Sequence, residues 1–213
     1  RTLAQQGDVV VVTVGYRLGF LGYANFSEPF AERIGATANI GLHDQLRSLE
    51  WVQRNIHAYG GDPNRVCIFG QSAGAISVTA MLCSPHFGGL FHSAIVQSGG
   101  DCLISSRPVS EEYTHATLQQ LGIGEQDLAQ LHDLDPETLI RHDPLLMHLA
   151  WGTPILPERP RQVFHQGNAH AVPVLMGSTR HEIAVPLALD RLGVLATAIQ
   201  RLGLLPVNST TFN

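Results

Sequence analysis

Gly70-Gln71-Ser72-Ala73-Gly74 sets a serine between two glycines, each two residues away, after the apolar run Arg65–Phe69 and before the helical pattern Ala73–Cys83. A serine on a sharp strand-to-helix turn sits in strained backbone with its hydroxyl presented. Small residues on either side let strand and helix pass closely. The turn also aims the Ala73 N–H at the place where an oxyanion would form. This is the chemistry of nucleophilic acyl transfer. The bare five-residue pattern also occurs as a turn that merely packs, but a strand before it and a helix after it favour the nucleophile.

A serine nucleophile needs a base, and the base needs a carboxylate that fixes its tautomer and stabilises the imidazolium. In α/β hydrolases the chain order is serine, acid, histidine. Glu182 stands in "GSTRHE", just past the apolar run Val172–Gly177, and fits the acid's place. Its plain alternative is a solvated loop glutamate. Asp101, after the run "HSAIVQSGG", is the rival acid.

The elements that would position these groups alternate. "DVVVVTVGY", Asp8–Tyr16, is β-branched without polar alternation, the mark of a strand buried on both faces. The sequence is read as entering this strand at once. A glycine-rich stretch follows and reads as a long loop. From His43 to Tyr59, Leu46, Leu49, Val52 and Ile56 fall at helical spacing, and Gly60, Gly61 and Pro63 end the pattern. Further strands are expected at Arg65–Phe69, within "HSAIVQSGG" and at Val172–Gly177. Residues from about 105 to 150 read as helical segments broken by Gly122, Gly124, Asp135-Pro136 and Asp143-Pro144, a covering region. Strands alternating with helices give one α/β domain with a mostly parallel sheet.

Composition excludes several partners. The 213 residues are 44% hydrophobic and 15% charged, with a formal net charge of -5. Phosphate-backbone binding wants a basic face, so nucleic acid is not expected. No apolar run reaches the roughly 20 residues of a spanning helix, so no membrane partner is expected. Cys67, Cys83 and Cys102 form neither a disulfide framework nor a zinc spacing. They read as reduced thiols in apolar surroundings, which favours the cytoplasm. The histidines show no ligand spacing, so neither metal nor organic cofactor is implied.

"VVVVTVGYRLGFLGY", "NIGLHDQLRSLEWVQRNIHAYGGDPNRVCIFGQSAGAISV", "GLFHSAIVQSG", "TPILPERPRQVFHQG" and "VPVLMGSTRHE" together resemble the type-B carboxylesterases, the cholinesterase-like branch of the α/β hydrolases. The resemblance implies hydrolysis of small-molecule carboxylic esters by a Ser-Glu-His triad. It gives Ser72 the nucleophile's place, Glu182 the acid's and Ala73 an oxyanion-hole donor's, within the elbow Gly70, Gln71 and Gly74. Ser98, in "QSGG", matches a family serine beside the triad, against simple loop packing. Gly15 and Gln71 depart from the asparagine and glutamate common in the family, and 105–150 has no clear counterpart.

The resemblance also places two parts outside this sequence. Part of the family's oxyanion hole comes from a glycine-rich loop expected upstream of Arg1, and the catalytic histidine follows a later strand. Of the eleven histidines here, His43, His57 and His92 lie in matched elements where the family has no catalytic histidine. His115, His132, His142 and His148 belong to the covering region. His181 adjoins Glu182, and neighbours on a loop seldom face each other. The chain is therefore expected to be the central portion of a longer hydrolase, nearly inactive alone. Two alternatives stand beside it: a non-catalytic interaction module of esterase descent, and an unrelated α/β hydrolase acting on amides.

Overall fold

The structure, a computed structural model, describes residues 2–28, 30–101, 103–142 and 149–182. It opens on a short helix, α1 (Thr2–Gly7), where strand-like sequence was expected at once. The run Asp8–Tyr16 departs further, since it forms no strand among the described residues. Val9, Val10, Val11, Val12 and Val14 are 37–49% exposed. β-branched residues favour extended backbone, but a strand exists only where a neighbour completes the ladder. No described strand supplies that neighbour.

The stretch read as a loop carries two single-turn helices, α2 (Gly19–Tyr23) and α3 (Phe30–Ile34). Arg17 fixes how it folds back. Its backbone N–H donates to Asp44 Oδ2 at 3.0 Å, and its guanidinium grips both carboxylate oxygens, at 2.8 and 2.5 Å. The guanidinium holds the Asp44 carboxyl below the usual carboxylate range. A Cβ at Gly22 or Gly41 would stand 2.1 or 2.6 Å from the Arg17 carbonyl oxygen, so neither position admits a side chain. α4 (Ile40–Asn55) buries Leu42, Leu46, Leu49 and Val52, and a 3-10 turn over Ile56–Tyr59 ends at Gly60, φ 81°. The amphipathic face and its glycine stop follow the expected pattern.

Among the described residues three parallel strands form the sheet: β1 (Cys67–Gln71), β2 (Ser93–Gln97) and, after two shorter strands, β5 (Val174–Gly177), in the order β1-β2-β5. α5 (Ala73–Cys83) crosses from β1 towards β2 and is buried at every residue from Ala75 to Cys83. It has no polar face because it lies within the core, against Leu42, Leu46, Leu49, Ala94 and Val96. A Cβ on Gly70 would come 2.4 Å from the Gly74 carbonyl carbon, whereas one on Gly74 would meet nothing. The closeness of strand and helix is thus enforced at Gly70. The sheet's two outer strands leave Phe69 52%, Leu175 66% and Met176 56% exposed.

Between β2 and β5 run β3 (Ser105–Ser106), α6 (Arg107–Gln120), a kinked 3-10 segment over Glu125–His132, α7 (Pro136–His142), β4 (Ala150–Trp151) and α8 (Pro160–Gln166). The breaks at Gly122, Gly124 and Asp135-Pro136 match the expected ones, and Asp143-Pro144 lies outside the described residues. Leu118, Ile123, Leu128 and Leu139 of this helical stretch pack with Phe20 and Ala24. The short parallel pair β3-β4 was not foreseen.

A buried amide network ties these parts together. Asn39 is fully buried at φ 56°, and its Nδ2 donates to the Ala150 carbonyl at 2.8 Å and to Thr153 Oγ1 at 2.9 Å. Its Oδ1 accepts from the Ala150 N–H at 2.9 Å. Asn25 accepts from the Asn39 N–H and donates to Ser110 on α6. Asn39→Ala should therefore lower unfolding free energy by about 3 kcal/mol, because it strands buried partners and puts alanine at positive φ; a urea melt within 0.5 kcal/mol of wild type would refute this. Gly70→Ala should abolish soluble expression, whereas Gly74→Ala should express normally, as soluble yields of the two variants will show.

Candidate active site

The carboxyl ends of the three parallel strands stop level with one another. Gln71, Gln97 and Gly177 are side by side in register. One residue further, the Ser72 N–H still donates to the Gln97 carbonyl at 3.0 Å and the Ser98 N–H to the Gly177 carbonyl at 2.8 Å. Ser72 and Ser98 are thus neighbours on the sheet's carboxyl lip, the position where open α/β sheets carry their ligands.

Both serines leave the sheet through unusual backbone. Ser72 has φ 52° and ψ -119°, and Ser98 has φ 53°. Five non-glycine residues among those described have positive φ, and Ser72, Ser98 and Glu182 are three of them. Such conformations cost about 1–3 kcal/mol each and persist only where the surroundings over-determine them. Here the ladder bonds and α5 do so. A Cβ on Gly99 would come 2.4 Å from Ala75 Cβ, so the loop after Ser98 is pressed onto the first turn of α5.

Ser72 is exposed and serves as N-cap residue of α5; its own carbonyl accepts the Ile76 N–H at 2.9 Å. The N–H groups ahead of Ile76, beginning with Ala73, have no intrahelical partner. They form a donor cluster beside the Ser72 hydroxyl, where the helix dipole also favours negative charge.

Glu182 is brought to the same lip. Its Oε1 accepts the Ser98 hydroxyl at 3.0 Å and also the Thr179 N–H, while its own N–H donates to Thr179 Oγ1 at 3.0 Å. Asp101 is engaged elsewhere. It pairs with Arg159 Nε at 3.0 Å and, more distantly, with Arg161 at 3.7 Å. An acid neutralised by two guanidinium groups is poorly placed to hold an imidazole.

No described histidine is hydrogen-bonded to Ser72 or Glu182. His86 contacts the Pro154 carbonyl, His92 accepts from the Val66 N–H, His115 contacts Gln119, and His170 contacts the Ser84 carbonyl. Burial pushes the His43 imidazole down, with His86 and Arg47 adding to the effect. His181 is exposed, and His148 lies outside the described residues. Two surface depressions flank Phe26, one beside Thr114 and Leu128 and one beside Arg107 and Pro154; Ser72, Ser98 and Glu182 line neither.

Among the described residues no cluster of three or more His, Cys, Asp or Glu groups is placed to hold a metal, and no helix is long and apolar enough to cross a membrane. Cys83 is buried, its thiol pushed up to about 12 mainly by desolvation. Cys67 is exposed on β1, contrary to the apolar surroundings expected of it, because it shares the exposed sheet face of Phe69 and Gln71, opposite the buried Ile68. Cys102 lies outside the described residues. Sequence reasoning missed Thr179 as a partner of Glu182, although Thr-x-x-Glu is a readable spacing. It also missed Gly99, whose requirement depends on a contact with α5 that no local pattern encodes.

A family model described as the carboxylesterase family matches residues 1–198. The para-nitrobenzyl esterase of Bacillus subtilis (strain 168) is 39% identical over 199 residues, covering 84% of this chain and 38% of that protein. Neuroligin-2 of Mus musculus is 35% identical, covering 84% of this chain and 22% of its own. A solved Geobacillus stearothermophilus carboxylesterase superposes with a TM-score of 0.81 at 34% identity, over 91% of this chain and 43% of its own. The chain thus spans about two-fifths of the esterases it matches, and its three-stranded parallel sheet with flanking helices is of the α/β-hydrolase type. The chain belongs to the carboxylesterase family.

Proposed function

We propose that the protein hydrolyses small-molecule carboxylic esters through an acyl-enzyme on Ser72. The Ser72 hydroxyl attacks the ester carbonyl and gives its proton to an imidazole supplied from outside the described residues. The tetrahedral oxyanion is met by the Ala73 N–H at the start of α5 and by donors outside the described residues. The imidazolium then protonates the departing alkoxide, leaving the acyl group on Ser72. Water, deprotonated by the same imidazole, attacks the acyl carbonyl; the tetrahedral intermediate collapses, the imidazolium returns the proton to the departing Ser72 Oγ, and the carboxylic acid is released. Glu182 orients the imidazole and stabilises its charged form, and Ser98 supports the carboxylate. The mechanism uses no cofactor.

One observation carries this reading: a serine at positive φ between Gly70 and Gly74, on the same sheet lip as a serine-bound glutamate. The names of the esterase relatives support the substrate class. A second reading, an interaction module of esterase descent, is favoured by the neuroligin matches.

Turnover of p-nitrophenyl acetate and butyrate by the full gene product separates the two. Ser72→Ala should abolish it. Glu182→Gln should lower kcat by on the order of 10²–10⁴ with KM nearly unchanged, because the carboxylate acts on the imidazole and not on the substrate. Asp101→Asn should stay within about twofold. Residues 1–213 alone should be nearly inert; full turnover by them, lost in His181→Ala, would make His181 the base. A folded full gene product inert toward these esters would favour the interaction module.

A further inference from the structure

We infer that Thr179 is a positioning residue that decides which oxygen of Glu182 faces the imidazole. The inference rests on the reading of Glu182 as the acid. Thr179 and Glu182 exchange two hydrogen bonds: Thr179 Oγ1 accepts the Glu182 N–H at 3.0 Å, and the Thr179 N–H donates to Glu182 Oε1. Reciprocal bonds over a Thr-x-x-Glu spacing are those of a capping box, which closes four residues into one ring. In this ring the glutamate side chain is tied at its far end and its backbone at the near end.

Glu182 needs such a tie. It is exposed, and its φ of 36° is one that a side-chain-bearing residue seldom adopts unaided. A solvated glutamate samples many rotamers, and ordering it costs side-chain entropy. Both donors, the Thr179 N–H and the Ser98 hydroxyl, converge on Oε1. Oε2 accepts no hydrogen bond among the described residues, so it is the oxygen left open to an imidazole N–H. Without Thr179 Oγ1 the Glu182 N–H loses its partner and the positive φ loses its support, so the backbone no longer holds Oε1 against its two donors and Oε2 towards the imidazole. Thr179 touches neither substrate nor imidazole and acts only through Glu182.

The test compares Thr179→Val, Thr179→Ser and Thr179→Asn with Glu182→Gln in the full gene product, using p-nitrophenyl butyrate. Valine keeps the shape and removes the acceptor; serine and asparagine supply an oxygen that can take the same N–H. The expected result is a roughly tenfold lower kcat for Thr179→Val, with KM within twofold and an unchanged melting temperature, and near-wild-type kcat for Thr179→Ser and Thr179→Asn. Wild-type kcat in Thr179→Val with a crippled Glu182→Gln would overturn the inference and leave Glu182 as the acid. Wild-type kcat in both would overturn inference and acid assignment together. Equal losses in Val, Ser and Asn would overturn it as well, since the oxygen would then not matter. Should Thr179→Val not fold, Thr179→Ala takes its place; loss of the fold in both would overturn the inference, because Thr179 would then hold the loop and not the carboxylate.

Discussion

The hydrogen-bonded register of β1, β2 and β5 is the constraint on which the rest depends. Parallel ladders fix neighbouring strands relative to each other to within one residue, because a slip would turn every side chain to the other face. Gln71, Gln97 and Gly177 end abreast, so residues far apart in sequence leave the sheet from one line. Ser72 and Ser98 are neighbours by this register alone. Glu182 reaches Ser98 because β5 delivers its loop to the same lip, and the Ser98 hydroxyl completes the connection.

Strain is concentrated where the chain leaves that line. Ser72, Ser98 and Glu182 all take positive φ, and each is held by something outside itself. For Ser72 it is the passage of Gly70 under α5, together with the N–H bond to Gln97. For Ser98 it is the N–H bond to Gly177 and the pressing of Gly99 onto Ala75. For Glu182 it is the reciprocal pair with Thr179. The Ser72 and Ser98 backbones and the Glu182 carboxylate are thus each held in place by contacts within the fold.

Polar interactions outside the lip keep the layers in place. Arg17 and Asp44 bind the sequence before α2 to α4, and the Asn25-Asn39 network binds α4 to the covering region and to β4. Buried amides of this kind give direction that apolar contacts lack, because a misplaced partner leaves an unsatisfied donor or acceptor. The same logic explains the unpaired run Asp8–Tyr16. Its valines have the propensity for a strand and the described residues give it no ladder to join.

What the sequence determined by itself was local. The elbow at Ser72 was readable because glycine is needed where strand and helix nearly touch; α4 and α5 were readable from apolar spacing and from length, and the breaks at Gly122, Gly124 and Pro136 from backbone chemistry. The long-range resemblance placed Glu182 and Ser98. Tertiary structure alone decided that Ser98 donates to Glu182, that Asp101 is consumed by Arg159 and that Gly99 must be small. It also decided that, among the described residues, a run of valines joins no ladder and that Cys67 is exposed on β1. The physical reason is common to all of these. Hydrogen bonds, ion pairs and ladders need a partner distant along the chain, and no single segment carries the position of its partner.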